Sequence, residues 1–149
     1  MKACFLFGHA DCPDDVLPQI EEAVERQYIN NSTRFFYVGN RGRFDALAAT
    51  AVARVKKRHG DIQLHLVLAY HPSERSVDLW GGFDSSYYPP LEGTPKAYAI
   101  VKANQYMVDA ADSVICYVRH IGNTRKLLEY AQRRQKKGGL FIENVAENS

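Results

Sequence analysis

A chain of 149 residues with 46% hydrophobic and 24% charged positions can bury the core of one domain, and its composition excludes a disordered or fibrous protein. A formal net charge of +2 makes no electrostatic case for nucleic acid. Cys4, Cys12 and Cys116 are odd in number and lack CxxC spacing, which argues against a disulfide framework or a thiolate zinc site and fits a reducing, cytoplasmic setting.

The chain opens on ACFLFG (3–8), a continuous apolar run closed by glycine, as a buried central strand should be. Met1 and Lys2 ahead of it are too short a lead for a signal peptide, and the run is too short to span a membrane. Residues 12–29 follow, with Val16, Ile20, Ala23, Val24 and Tyr28 at helical spacing and acids early. Pro18 fits that helix only in its first turn. NNST (30–33) reads as a polar loop, RFFYVG (34–39) as a second strand, and the alanine-rich segment 44–58 as a second helix stopped by Gly60.

IQLHLVLAY (62–70) reads as a third strand. The polar, aromatic stretch from His71 to Pro95 is expected to be mostly irregular, and a loop that long in a compact domain points to function. A helix over 95–112 opens on proline, with Ala97, Ile100, Val101, Met107, Val108 and Ala111 on one apolar face and Asn104 on the same stripe. SVICYV (113–118) is a fourth strand, 123–137 a fourth helix, and GLFIENV (139–145) a last strand. The basic clusters 56–58 and 133–137 fall where helices end and complement the helix dipole there.

Strand and helix alternate throughout, which predicts one α/β domain over 1–149 with a five-stranded, mainly parallel sheet in the order 3-2-1-4-5 and helices on both faces. Ligands bind such sheets beyond the carboxyl ends of the strands, where the strand order reverses. Three junctions there combine glycine with polar groups ahead of a helix: FGHAD (7–11), VGNRGRFD (38–45) and RHIGNT (119–124). Glycine lets backbone approach a ligand, and helix N-terminal amides favour an anion. A single glycine junction is most often only turn chemistry, so the conjunction of three is what predicts a phosphate cradle. Arg41 and Arg43 are forked donors for phosphate or solvated loop charges, and Asp45 is a helix cap or a ligand contact. His9, His71 and His120 lie near strand ends without HExxH spacing, so no metal is expected, and no GxSxG elbow is present.

Together, CFLFGHAD, VGNRGRFDALAATAVARVK, LHLVLAYHPSERSVDLW, VKANQYMVDAADSVICYV and IGNTRKLLEYA resemble the YpsA-like, DUF1273 branch of the SLOG superfamily, over almost the whole chain. That superfamily also holds the LOG phosphoribohydrolases and the Smf DNA-processing proteins. The resemblance implies a Rossmann-like three-layer sandwich that binds a nucleotide or nucleotide-derived ligand of ADP-ribose or ribose-phosphate type, as a sensor or regulator. It places ligand-binding positions on Gly8, His9, Gly39, Arg41, Gly42, Phe44, Asp45, Asn104, Gly122, Asn123 and Thr124. No cofactor and no membrane are expected, near-neutral charge and the lack of an evident stacking platform weigh against nucleic acid, and the reading admits a homo-oligomer.

The chain departs from that pattern where catalysis would sit. Ala10 follows His9 in place of an arginine, Ala103 stands where the hydrolases carry a helical arginine, and Asn123 replaces a common second glycine. Glu129, near the expected acidic position, is the one candidate catalytic residue. A phosphoribohydrolase acting on nucleoside monophosphates and a Smf-like binder of single-stranded DNA are therefore the rival readings, with little hydrolase activity expected.

Overall fold

The computed structural model describes residues 2–75 and 77–148. Its strands are β1 (Lys2–Gly8), β2 (Thr33–Val38), β3 (Gln63–Val67), β4 (Ser85–Tyr87), β5 (Ser113–Tyr117) and β6 (Phe141–Asn144). They form one sheet in the order β4-β3-β2-β1-β5-β6, and every neighbouring pair runs parallel. The helices are α1 (Leu17–Asn31), α2 (Arg43–His59), α3 (Ala99–Ala110) and α4 (Asn123–Lys136).

Two faces of the central strands explain the three layers. Cys4 and Leu6 of β1 and Ile115 and Tyr117 of β5 join a core with Ile20, Ala23 and Val24 of α1 and the alanine-rich face of α2. Phe5 and Phe7, with Val114 and Cys116, point the other way and pack on Met107 and Val108 of α3 and Leu128 and Ala131 of α4. Successive residues of a strand face opposite sides, so covering both sides buries a continuous run. This is why ACFLFG shows no polar alternation.

The five expected strand segments keep their expected relative order, but the sheet has six strands. The extra one, β4, lies in the stretch expected to be irregular. Its Ser-Ser-Tyr sequence carries no apolar pattern because it is a three-residue edge strand with one neighbour. Asp84 sets its register: the Asp84 amide donates to the Leu64 carbonyl at 2.8 Å, and the Leu64 amide donates to Asp84 Oδ2 at 2.8 Å. Lys56 pairs with the other carboxylate oxygen.

Pro18 does sit in the first turn of α1, behind a short 3-10 turn over Asp14–Val16. That helix runs on through Asn31, so the polar loop expected at 30–33 shrinks to Ser32, which closes the helix in the left-handed conformation. Gly60 ends α2 with φ of 81°, a conformation that favours glycine. The apolar face of α3 is Ala99, Ala103, Met107 and Val108, whereas Ala97 precedes the helix and Val101 is half exposed. The basic residues at the end of α2 meet acids of α1: Arg58 pairs with Glu21 and Glu25, and His59 also pairs with Glu25. Among the described residues no helix is long and apolar enough to cross a membrane.

Candidate functional site

The sheet order reverses between β1 and β5, because the chain builds outward from β1 through β2 to β3 and then returns to add β5 on its other side. At the carboxyl ends of these strands lies a cleft of about 310 Å³. Gly8 ends β1 and Ala10 follows it; Gly39, Arg41, Gly42 and Asp45 come from the β2–α2 junction; Ile100, Ala103 and Asn104 come from α3; Asn123, Thr124 and Leu127 come from α4. Crevices at such switch points are where open parallel sheets hold ligands.

The two helix starts on this rim differ. At α2 the Arg43 amide donates to the Ala10 carbonyl at 2.9 Å, and the Phe44 amide to the His9 carbonyl at 3.3 Å. Gly42 permits this docking: a Cβ there would lie 2.5 Å from Ala10 Cα. Gly8 serves the same contact from below, since its Cβ would lie 2.4 Å from Cγ of the fully buried Phe44. Thus the first amides of α2 are committed to the β1 loop. At α4 no side chain caps the N-terminus; Asn123 and Thr124, its first two residues, line the cleft, and their amides have no protein acceptor among the described residues. An uncapped helix start bearing partial positive charge suits an anion. Gly122, at φ of 150°, sets the turn into it.

The same cleft takes in Asp45, the one carboxylate among its lining residues. Its Oδ2 accepts the Arg41 amide at 2.9 Å, which folds the 39–42 loop around it. Burial pushes its carboxyl up to about 6, against the pull of the Arg41 amide and guanidinium. Gly39 leaves it room, because a Cβ there would come 3.0 Å from Oδ2. Asn104 also lines the cleft, and its amide has no protein partner among the described residues.

Eight of the eleven positions expected to bind ligand therefore meet in one cavity: Gly8, Gly39, Arg41, Gly42, Asp45, Asn104, Asn123 and Thr124. Three do not line it. Phe44 is a core residue beneath Gly8. Gly122 sits just outside as the cap of α4. His9 is 4% exposed, and its Nε2 accepts the amides of Arg119 at 2.8 Å and His120 at 3.3 Å, so it clamps the β5–α4 loop to β1. Burial lowers its pKa, with the nearby His120 acting the same way.

His9, Asp11 and His120 are the histidine and carboxylate groups that come close enough together, among the described residues, to suggest a cation site. The hydrogen bonds argue otherwise. Two backbone donors occupy the Nε2 lone pair of His9, and the two imidazoles stack face to face at 3.7 Å, a poor geometry for sharing one ion.

Glu129 is exposed and absent from the cleft wall. Asn123, Thr124 and Leu127 turn one face of α4 to the cavity, and two residues beyond Leu127 the helix has rotated by about 200°. Ala103, by contrast, does line the cleft, where it is 2% exposed and fills its place with a methyl group. The apolar wall formed by Val67, Ala69, Ile100 and Leu127 was missed in the sequence because these residues read equally well as core.

No family model matches the chain, and no curated protein matches it. Among solved structures, DNA processing protein A (DprA) from Streptococcus pneumoniae superposes on 97% of this chain with a TM-score of 0.52 and 14% identity. S. aureus TarJ, in complex with NADPH, covers 86% of the chain at a TM-score of 0.42 and 14% identity, a level that carries no argument. The chain spans 59% of the length of the DprA chain and 42% of the TarJ chain. At such identity the likeness to DprA concerns the fold alone: a parallel sheet flanked by helices, of the Rossmann-like kind.

Proposed function

We propose that the chain is a SLOG-type domain of the YpsA-like kind that binds a nucleotide-derived ligand of ribose-phosphate or ADP-ribose type, in a sensing or regulatory role. The observation that carries this reading is the pairing, across one cleft, of the uncapped start of α4 with the Asp45 carboxylate. Phosphate takes the amides of Asn123 and Thr124, while ribose hydroxyls donate to Asp45. Asn104 and Arg41 supply further donors from the remaining walls. Titration calorimetry with ribose 5-phosphate, AMP, ADP-ribose and inorganic phosphate tests it. Asp45→Ala should weaken the ribose-containing ligands about tenfold or more, the worth of hydrogen bonds to a charged group, and change inorganic phosphate less. Equal loss for all four makes Asp45 a loop-holding residue only, and no binding by any of them removes the reading.

A second reading, hydrolysis of a nucleoside monophosphate, has one observation in its favour. A carboxyl held at about 6 inside a cleft is poised for general acid–base work near neutral pH. Against it stand the methyl group of Ala103, where the hydrolases carry an arginine, and the outward position of Glu129. Incubation with AMP and GMP should release negligible free base, and turnover abolished by Asp45→Ala would favour the enzyme. Single-stranded DNA binding, the third reading, gains from the likeness to DprA only a shared fold and draws little electrostatic support from a net charge of only +2.

A further inference from the structure

A second groove, of about 390 Å³, adjoins the main cleft at Asp45 and has no α4 residue in its wall. It shares Gly39, Gly42 and Asp45 with the main cleft and is otherwise walled by Ala46, Ala49 and Thr50 of α2 and by Trp80 and Phe83. Its helix wall is small and apolar, and the Thr50 hydroxyl is spent on the Ala46 carbonyl at 3.1 Å. The opposite wall is an aromatic ring held for display. Trp80 is 50% exposed, yet the turn that bears it is fixed by the Phe83 amide donating to the Trp80 carbonyl at 2.9 Å. Its ring lies across Gly82, where a Cβ would come 2.2 Å from a ring carbon, and meets Phe83 edge-on at 6.0 Å. Phe83 is itself packed against the α1–α2 core. A large aromatic half in water, held by contacts with Gly82 and Phe83 and lining one groove with small apolar residues of α2, is suited to a planar partner.

The order of groups along the two cavities identifies that partner. The α4 start borders only the first cavity, Trp80 borders only the second, and Asp45 borders both. In a 5′-nucleotide the ribose stands between phosphate and base. We propose that Trp80 is the stacking platform of a nucleobase subsite, so that one ligand runs from phosphate at Asn123 and Thr124, through ribose at Asp45, to a heterocyclic base lying on Trp80. This rests on the ribose-phosphate reading of the main cleft and extends it to the ligand's third part. Asn40, exposed at the groove's edge, offers an amide that can both donate to and accept from the edge of the base.

Trp80 is the sole tryptophan of the chain, so its fluorescence reports this subsite directly. Ribose 5-phosphate and AMP are titrated into the full chain, Trp80→Ala and Trp80→Phe, by calorimetry and, for the wild type, by fluorescence. Base–aromatic stacking contributes about fivefold to 150-fold in affinity. AMP should therefore bind at least about fivefold tighter than ribose 5-phosphate and quench Trp80 more strongly. Trp80→Ala should bring AMP down to the ribose 5-phosphate level and leave ribose 5-phosphate unchanged, while Trp80→Phe should retain most of the difference. If both ligands bind equally, or if AMP keeps its advantage in Trp80→Ala, the base subsite is overturned while the cleft reading stands. If neither ligand binds a folded wild-type sample, the cleft reading falls and the subsite falls with it.

Discussion

At the start of α2 the amides of Arg43 and Phe44 are given to the carbonyls of Ala10 and His9, and two glycines, Gly8 and Gly42, are held in contacts too close for any side chain. At the start of α4 no side chain caps the helix, and Gly122 has open space where a Cβ would go. Both junctions follow a strand, and both place a glycine at the start of a helix. The first uses Gly8 and Gly42 to weld helix to strand, and it brings Arg41 and the carboxylate of Asp45 to the cleft. The second uses its glycine to turn the backbone and leaves its amides free for a ligand. A glycine at such a junction therefore marks either a close approach or a turn, and only the packing and hydrogen bonds around it tell which.

The sharpest break of this comparison is a methyl group at each junction. Gly42→Ala drives a Cβ to 2.5 Å from backbone Ala10 and should cost about 3 kcal/mol or more in a urea unfolding experiment. Gly122→Ala meets nothing, but its φ of 150° belongs to a region that favours glycine, and about 1–3 kcal/mol of backbone strain is expected. A loss at Gly122 larger than at Gly42 would reverse the assignment of the two roles.

A smaller effect comes from pH. Asp45 titrates at about 6 in the folded chain against 3.8 as its ordinary value, so the folded state holds that proton more tightly. The stability it contributes is complete below about pH 4 and is lost as pH rises through 6. His9 acts in the opposite sense: its pKa is lowered below 6.5, so stability is lost as pH falls below that value and the unfolded chain takes up the proton. The two slopes oppose each other in mildly acid solution. Asp45→Asn keeps an acceptor for the Arg41 amide and removes one slope. It should be more stable than wild type by about 1–2 kcal/mol at pH 7.5, with the gap closing toward pH 4, in unfolding curves measured across that range. Parallel curves for the two proteins would show that burying Asp45 costs nothing.

The smallest change in stability is expected from Asn123→Asp, which adds a negative charge to the first turn of α4 and should stabilise the helix by about 0.3–1 kcal/mol. The same charge should weaken phosphate-bearing ligands at least about tenfold, since it occupies the field meant for them. Stability and affinity moving in opposite directions sharpens the assignment of α4 as the anion side. Affinity that rises or stays constant would place the phosphate elsewhere.

Much of this architecture was legible in the residues. Continuous apolar runs name buried strands, Pro18 and Gly60 mark helix limits, and strand–helix alternation dictates a parallel sheet with its cleft at the carboxyl ends. These are local or topological rules, and they depend on neighbours along the chain. Tertiary structure alone decided the rest. It made an edge strand of Ser85–Tyr87, held in register on β3 at one end by the Asp84 contacts to Leu64 and at the other by the Leu68 amide donating to the Tyr87 carbonyl. It turned His9 into a loop clamp, sent Phe44 into the core, and left Glu129 on the outer face of α4. It also folded Trp80 over Gly82 beside Asp45, some 35 positions away in sequence. A side chain's type is written in the chain, but whether its polar atoms meet protein or open cleft depends on groups that only packing brings within hydrogen-bond reach.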